Sequence, residues 1–249
     1  MGNKKIQTWD AEHFELERTT YWSFPDRGHW ATHDAKWRGN WSPYIPRNLL
    51  LRYSKEGDWV LDQFAGGGTT LVEAKLLGRN SIGVDVNDAA LARCREKVQF
   101  THEGADGEVV IRKGDARHLD FIGDASIDLI CTHPPYANII AYSEDIPEDL
   151  SRLKVPEFLE QMKPVAAESF RVLKPGKYCA VLMGDTRQKG CMIPMAFDVM
   201  GIFRKAGFTL KELIIKRQHH CRATGFWKTN SVKYNFLLIA HEYLFVFRK

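Results

Sequence analysis

Cysteine is scarce in this 249-residue chain, and its five cysteines are scattered without a Cys-x-x-Cys pair. This number and spacing argue against a disulfide framework and against a structural zinc site, so we expect no metal. The chain contains no run of about 18 apolar residues, which excludes a membrane-spanning helix. Its N-terminus continues into Trp9-Asp10-Ala11-Glu12 rather than into the apolar segment of a secretion signal. We therefore expect a protein of the reducing cytoplasm.

The charge is small overall but unevenly distributed. The net charge is +4, yet residues 201–249 carry ten Lys or Arg and two Asp or Glu, so the rest of the chain is net negative. This asymmetry predicts that the C-terminal part faces an anionic partner, the alternative being a solvated basic surface. Hydrophobic residues make up 44% and charged residues 27%, which is typical of a folded globular domain and excludes a disordered chain.

Beyond residue 58, short apolar runs alternate with helical patterns. Strands are predicted at 59–64, 80–85, 108–112, 127–131, 178–183 and 209–215, with two further apolar runs between 235 and 247. Helices are predicted at 69–77, 87–98, 156–173 and 195–206. The alternation predicts an α/β fold with a mostly parallel sheet and helices on both faces. Residues 8–48, by contrast, are rich in aromatic side chains and show no regular pattern.

A glycine cluster at 66–68 follows the first predicted strand. Ligands of open parallel sheets bind beyond the carboxyl ends of the strands, so this loop is a candidate site. Glycine allows a ligand to approach the backbone and leaves amides free at the start of the next helix. A dinucleotide fingerprint fails because Leu71 occupies the third glycine position, and the lysine of a P-loop is absent. The loop therefore fits a ligand other than a pyrophosphate.

Two acidic residues follow the next two predicted strands. Asp85 ends the second strand, where a carboxylate can accept both hydroxyls of a ribose. Asp115 follows the third strand and can accept a hydrogen bond from an exocyclic amine. Together with the glycine loop they predict an adenosine ligand, and S-adenosylmethionine fits that description. The alternative for each aspartate is a helix cap.

The tetrapeptide His133-Pro134-Pro135-Tyr136 follows the fourth predicted strand. Two consecutive prolines fix the backbone and remove two N–H donors, which leaves carbonyl groups without competing donors beside them. A polar side chain, rigid carbonyls and an aromatic ring suit a planar group that bears an NH₂. A Pro-Pro pair is more commonly only a turn, but this one lies at a strand end that should neighbour the glycine-loop strand.

These motifs resemble those of the S-adenosylmethionine-dependent DNA amino-methyltransferases, the N4-cytosine/N6-adenine family. The resemblance is carried by the loop 62–70 and the tetrapeptide 133–136, and it extends to 40–46, 78–85, 171–176 and 241–243. The family implies a Rossmann-like seven-stranded sheet, mostly parallel, with one antiparallel strand formed by the terminal apolar runs.

The resemblance also implies a division of the chain. We expect a single methyltransferase domain at 40–249, preceded by an aromatic-rich extension at 1–39. Target contacts would come from inserted loops at about 137–156 and 216–234.

Particular residues receive roles from the same resemblance. The catalytic motif would consist of His133, Pro134, Pro135 and Tyr136. The cofactor S-adenosylmethionine would be bound by Ser42, Pro43, Asp62, Phe64, Gly66, Gly68, Thr69, Thr70, Asp85, Asp115 and Ala116. Phe64 would pack near the cofactor, and the segment 42–46 would close over its methionine end.

The implied reaction methylates the exocyclic amine of cytosine or adenine in double-stranded DNA. Neutral His133 would accept one N–H of the amine and the Pro134 carbonyl the other, while Tyr136 stacks on the base. The base must be flipped out of the duplex to reach the methyl group. If His133 accepts through a ring nitrogen, its protonation should end that role near the ordinary pKa of about 6.5.

A basic segment between the last two predicted strands mixes cations, amides and aromatics. Contacts to nucleic acid are predicted for Lys216, Arg217, Arg222, Phe226, Trp227 and Lys228. The aromatic N-terminal segment with Arg27, Lys36 and Arg38 is a second candidate for these contacts. The alternative is that its tryptophans fix an irregular segment to the sheet.

Three features depart from the family and keep other functions open. His133 stands where the family usually has Asp, Asn or Ser, and no separate target-recognition domain is left over. The cofactor motif also precedes the catalytic motif, whereas many relatives with this style of glycine loop have the reverse order. The alternatives are an RNA or protein-amide methyltransferase of the same fold, or a non-catalytic nucleic-acid-binding subunit. A partner restriction endonuclease is a further expectation, whereas the target base, the recognition sequence and the oligomeric state are left open.

Overall fold

The computed structural model describes residue 6 and residues 8–137, 142–143, 145–220 and 224–249, with only the backbone of Thr224 and Phe226. The strands are β1 Tyr21–Ser23, β2 Trp59–Asp62, β3 Asn80–Asp85, β4 Val109–Lys113, β5 Ile127–Thr132, β6 Leu173–Met183, β7 Thr186–Gln188, β8 Cys191–Ile193, β9 Thr209–Arg217 and β10 His241–Arg248. The helices are α1 Tyr44–Tyr53, α2 Thr69–Leu76, α3 Asp88–Lys97, α4 Val155–Val172, α5 Met195–Lys205 and α6 Thr224–Lys233.

Within the described residues, eight strands form one sheet in the order β1-β9-β10-β6-β5-β2-β3-β4. Strand β10 runs antiparallel to both of its neighbours, and the other pairs are parallel. The Rossmann-like fold with one antiparallel strand is therefore confirmed. The added strand β1, which pairs with β9 at the sheet edge, was not predicted. Strands β7 and β8 form a separate hairpin.

The core lies on both faces of this sheet, as the alternation along β10 shows. Phe245 and Phe247 pack on the face that carries residues of α4 and α5. Leu244 and Val246 pack on the opposite face with residues of α1. Because successive side chains of a strand point to opposite faces, a strand covered on both sides becomes a continuous apolar run.

Predicted helix ends agree with the structure where a local signal exists. Asn87 caps α3, and its side-chain oxygen accepts hydrogen bonds from the backbone N–H groups of Ala89 and Ala90. Helix α4 has Pro156 in its first turn and stops before Lys174-Pro175-Gly176.

Two helices and one apolar segment differ from the sequence prediction. Helices α1 and α6 were not predicted, and α6 has exposed side chains without an apolar stripe. The apolar run 236–239 is not a strand, and Leu237 is 81% exposed. Both edges of β10 are already paired with β6 and β9, so this run has no place beside it in the sheet.

The N-terminal aromatic segment is fixed to the sheet through a buried glutamate. Glu73 of α2 accepts hydrogen bonds from Trp30 Nε1 at 2.6 Å and from Arg47 at 3.0 Å, and its carboxylate lies 2.7 Å from the His33 ring. Trp22 packs in the core beside β9. The tryptophans therefore anchor the irregular segment, as one of the two sequence interpretations proposed.

Candidate active site

A cleft lies at the carboxyl edge of the sheet, where β2, β3 and β5 end. Its volume is about 830 Å³ with the open mouth included. The lining comes from residues 37–41, 62–66 and 69, 85–87, 114–116, 133–135, 142 and 148–150. The predicted cofactor residues Asp62, Phe64, Gly66, Thr69, Asp85, Asp115 and Ala116 are all among them.

The glycine loop is packed so tightly that side chains would not fit. Gly68 adopts φ +79° as it starts α2, and a Cβ on it would lie 3.1 Å from Cys94 Sγ. A Cβ on Gly67 would lie 2.4 Å from the amide nitrogen of Asn40. Asn40 also accepts a hydrogen bond from the Gly67 N–H at 3.1 Å, so residues 37–41 cover this loop directly.

Asp62 joins three elements at the base of the cleft. Its carboxylate accepts hydrogen bonds from Thr70 Oγ1 at 2.5 Å, from Thr132 Oγ1 at 2.8 Å and from the Phe64 N–H at 3.2 Å. Burial raises its pKa to about 6 against these hydrogen bonds. Asp62 and Thr70 therefore hold the start of α2 against the ends of β2 and β5.

Asp85 lies above the glycine loop with acceptor capacity to spare. Its two oxygens accept the N–H of Gly66 at 2.8 Å and the N–H of Asn87 at 2.9 Å. Burial raises its pKa above the ordinary value. A carboxylate has about four lone-pair sites, so two remain for the hydroxyls of a ribose.

Asp115 is engaged by a neighbouring guanidinium. Arg117 donates to both of its oxygens, with Nε at 2.9 Å and a terminal nitrogen at 2.6 Å from Oδ2. This pairing was not predicted from the sequence. It fixes the carboxylate at the edge of the cleft and offsets part of its charge.

The donor and acceptor set of the cleft fits S-adenosylmethionine. Its charged lining residues are acidic apart from Arg38, and the acids are Asp62, Asp85, Asp115, Glu148 and Asp149. This excess favours a cationic sulfonium ligand and opposes a polyphosphate. The amide nitrogen of Asn40 is buried and has no hydrogen-bond partner among the described residues, so it can serve the carboxylate of such a ligand.

The predicted catalytic tetrapeptide opens onto the same cleft. His133, Pro134 and Pro135 line it, whereas Tyr136 lies behind His133 with its hydroxyl 2.9 Å from His133 Nε2. The Trp41 ring stacks on His133 at 5.7 Å between centroids and 23° between planes. Burial lowers the pKa of His133 to about 4, although Glu242 opposes the shift. The prediction that His133 loses its acceptor role near pH 6.5 is therefore wrong, because the ring stays neutral well below that pH.

A buried ion pair lies beyond Tyr136. The Tyr136 hydroxyl donates to Glu242 Oε1 at 2.9 Å, and Lys216 Nζ donates to Glu242 Oε2 at 2.8 Å. Lys216 and Glu242 face each other across β9 and β10. Lys216 therefore points to the interior of the site rather than to a phosphate, which the sequence could not show because these residues are far apart along the chain.

Other predicted cofactor residues support the cleft without lining it. Ser42 donates to the Arg27 carbonyl at 2.9 Å, and Pro43 is buried directly before α1. Gly68 lies in the glycine loop directly before α2. Thr70 lies below the loop, where its hydroxyl donates to Asp62. Lining residues that the sequence analysis did not assign include Trp37, Gly39, Asn87 and Tyr142. The Tyr142 ring packs directly on Gly39, where the only signal was the abundance of aromatics and glycine.

The predicted nucleic-acid contacts are spread over the end of β9 and the helix α6. Arg217 and Lys228 are exposed, and Trp227 is 44% exposed while its ring packs edge-on against Phe236. Arg222 and the side chain of Phe226 lie outside the described residues. In the part of the chain that is described, no helix is long and apolar enough to cross a membrane, and no potential metal-ligand cluster is found.

A family model described as DNA methylase, for N6 and N4 methyltransferases, matches residues 2–95 and 127–249. The chain belongs to this family. A second model, for the methyltransferase domain of RMKL-like proteins, matches residues 49–177. The family implies S-adenosylmethionine as the cofactor, and the cleft chemistry and the glycine loop of this chain fit it.

Curated relatives of the methyltransferase include enzymes named for tRNA and enzymes named as Type II methyltransferases. It is 36% identical to a tRNA (guanine(10)-N2)-dimethyltransferase of Methanothermobacter thermautotrophicus, over 52% of this chain and 36% of that one. It is 42% identical to the Type II methyltransferase M2.DpnII of Streptococcus pneumoniae, over 24% of this chain and 22% of the relative. The chain thus spans well under half the length of these relatives.

Solved structures show the same fold at low sequence identity. A methyltransferase of Methanosarcina mazei matches with a TM-score of 0.58 and 15% identity, over 81% of this chain and 96% of that chain. TrmN of Thermus thermophilus matches with a TM-score of 0.57 and 20% identity, over 85% of this chain and 50% of that chain.

Proposed function

We propose that this methyltransferase acts on DNA and methylates the exocyclic amine of a flipped adenine (N6) or cytosine (N4). The observation that carries the proposal is that His133, Pro134 and Pro135 line the same cleft as the glycine loop and Asp85. A group that binds a planar amine and a group that binds a methyl donor are therefore adjacent.

The chain's own residues bind and orient the amine. Bound S-adenosylmethionine supplies an electrophilic methyl group. His133 is neutral at physiological pH because its pKa is about 4, so a ring nitrogen can accept one N–H of the amine. The Pro134 carbonyl accepts the other, and the nitrogen lone pair is drawn out of the aromatic ring. Catalysis then depends on positioning and electrostatics rather than on a covalent bond to the protein.

The aromatic ring that covers the base is reassigned in this proposal. Tyr136, the predicted stacking residue, has its hydroxyl held by Glu242 behind His133. Trp41 stacks on His133 from the other side, and Tyr142 and Trp37 line the cleft. We expect Tyr136 to fix the depth at which the base enters, while these rings close over cofactor and base.

The basic C-terminal part supplies the surface for the nucleic acid. No Asp or Glu occurs between Glu212 and Glu242, whereas this stretch holds five Lys or Arg. Arg217, Lys228 and Lys233 are exposed at the end of β9 and along α6. Cations of this kind bind phosphates without sequence preference and position the duplex above the site. Arg222 and Phe226 stay predictions of the same surface.

RNA is the second candidate substrate, and one observation favours it. The tRNA dimethyltransferase is 36% identical over 52% of the chain, whereas the Type II methyltransferase M.MjaI aligns over 55% of the chain at only 26% identity. The amine named in that relative, N2 of guanine, is also exocyclic on a planar base, so the cleft chemistry does not separate the two substrates. A partner restriction endonuclease stays a prediction.

The decisive experiment measures tritium transfer from labelled S-adenosylmethionine to duplex DNA, to tRNA and to protein. Nucleosides from the labelled acceptor are then identified by mass spectrometry. We expect N6-methyladenine or N4-methylcytosine in DNA, and no transfer by His133→Ala. The matched control His118→Ala changes a histidine that does not line the cleft. Methylated guanine in tRNA would move the proposal to RNA, and label in protein alone would end both.

A further inference from the structure

A chain of hydrogen bonds connects His133 to a charged pair that the proposed reaction does not use. The His133 Nε2 atom lies 2.9 Å from the Tyr136 hydroxyl, which donates to Glu242 Oε1 at 2.9 Å. Lys216 Nζ donates to the other oxygen of Glu242 at 2.8 Å. Each link has the length of an ordinary hydrogen bond.

The direction of this chain is fixed by its charged end. An ammonium group can only donate, and an ionised carboxylate can only accept. Burial works to raise the pKa of Glu242, but Lys216 and the hydrogen bond from Tyr136 hold it below its ordinary value, so the carboxylate is ionised. The single proton of the Tyr136 hydroxyl then faces Glu242, so the hydroxyl oxygen can only accept from His133. The Gly39 backbone carbonyl is a second acceptor beside the ring and competes for its single N–H.

The fold holds the far end of this chain in place through the ends of β6, β9 and β10. Glu242 is 7% exposed on β10, directly opposite Lys216 of β9. Gly184, just after β6, makes room for the tyrosine, because a Cβ there would lie 2.9 Å from the Tyr136 ring. Trp41 packs on the His133 ring and limits its rotation.

We infer that Glu242, paired with Lys216, is a positioning residue that acts through Tyr136 and holds His133 in the tautomer with the proton on Nε2. Nδ1 of His133 then carries the lone pair that accepts the substrate amine. Only this last clause rests on the proposed function, whereas the tautomer is a property of the free protein.

The experiment records long-range ¹H–¹⁵N NMR spectra of the full chain labelled with ¹⁵N-histidine, at pH 7 and without substrate. His133→Asn identifies the His133 signals among the nine histidines. We expect protonated Nε2 in the wild type. In Glu242→Gln the amide can donate to Tyr136, which reverses the chain, so the population should shift to protonated Nδ1. The control Glu212→Gln changes a half-exposed carboxylate of β9 that pairs with Lys211, and it should leave the signals unchanged.

A second variant protects the test if Glu242→Gln folds poorly. Tyr136→Phe removes the link and keeps the Lys216–Glu242 pair, and it should leave His133 with mixed tautomers. Protonated Nδ1 in the wild type, or the same tautomer in all variants, overturns the inference.

Kinetics then test the part that depends on substrate. We expect Glu242→Gln to lower kcat by about tenfold, the effect of one lost oriented hydrogen bond, with an unchanged Kd for S-adenosylmethionine. A normal kcat in a variant with the shifted tautomer would overturn the role assigned to Nδ1. A wild type that methylates no acceptor would refute the proposed function and leave the NMR result standing.

Discussion

The two halves of the carboxyl edge, on either side of β5, carry opposite charges. Beyond β2 and β3 the side chains are Asp62, Asp85 and Asp115, and they surround a glycine loop. At the end of β9 the edge carries Lys216 and Arg217, and Lys216 pairs with Glu242 at the start of β10. One sheet edge therefore combines an acidic cleft with a neighbouring basic surface, with His133 at the boundary.

The largest effect is expected from Asp85, which tests the acidic half. Asp85→Ala removes the carboxylate proposed to bind the ribose, and it also frees the N–H groups of Gly66 and Asn87. Two hydrogen bonds to a charged group are worth about 3 kcal/mol or more, so Kd for S-adenosylmethionine should rise by about 100-fold. Isothermal titration calorimetry measures it, with the exposed Asp88→Ala as the control. Equal affinities in both variants would show that the acidic half does not bind the cofactor.

A smaller effect is expected on the basic half. Lys228→Glu with Lys233→Glu should weaken duplex DNA binding by about tenfold at low salt and reduce the salt dependence by about two ion equivalents. The control pair Arg204→Glu with Lys205→Glu reverses charge at the end of α5, near the amino end of β9. Fluorescence anisotropy over a salt series gives both quantities. If both pairs behave alike, the contrast between the two halves is only one of net charge.

Stability should show the cost of burying the ionised carboxylate of Asp62. Its pKa is about 6 in the folded protein against 3.8 ordinarily, so the folded state binds more protons between these values. Stability contributed by this group therefore falls as pH rises through that window, and the loss is complete above pH 6. Asp62→Asn should be more stable than the wild type by about 1 kcal/mol at pH 8. Urea unfolding at pH 8 and pH 4 would contradict this if the difference did not shrink at the lower pH.

The smallest effect is expected on the rate of methyl transfer in mild acid, which depends on the charge of His133. With a pKa of about 4, its ring keeps the lone pair at pH 5.5, so the single-turnover rate there should be close to that at pH 7. A histidine with the ordinary pKa of about 6.5 would lose about tenfold over the same range. Circular dichroism confirms folding at each pH, and His133→Asn supplies a profile without an imidazole. A tenfold loss of the rate in the wild type, absent from His133→Asn, would show that the His133 ring titrates near its ordinary pKa.

The arrangement of the acidic half was largely predictable from the sequence, whereas the side-chain contacts of the basic half were not, for a physical reason. Glycines, Asp85 and the Asn87 cap act within a few residues of one another, so their spacing reveals them. The contact of Tyr136 with Glu242 joins residues 106 positions apart, and no local pattern reports such a pair. Arg117 on Asp115 was missed because the acid was interpreted by its position alone.

The same distinction explains the errors in the fold. Among the described side chains of helix α6 none is buried, so packing has left no periodic signal there in the sequence. The run 236–239 is apolar enough for a strand, but the sheet has no vacant position beside β10. A periodic apolar pattern predicts an element that packs one face on the core. It does not report whether the sheet has a free position for an apolar run.

The pairing of β1 with β9 has a consequence for synthesis on the ribosome. Tyr21–Ser23 must wait for Ile215–Arg217, so residues 24–214 have to be synthesised before this sheet edge can form. Until then Trp22 has no complete surface to pack on, and contacts of such long separation make folding slow. Nascent chains should therefore need protection of this aromatic segment, and ribosome-bound intermediates should be most exposed to proteases there.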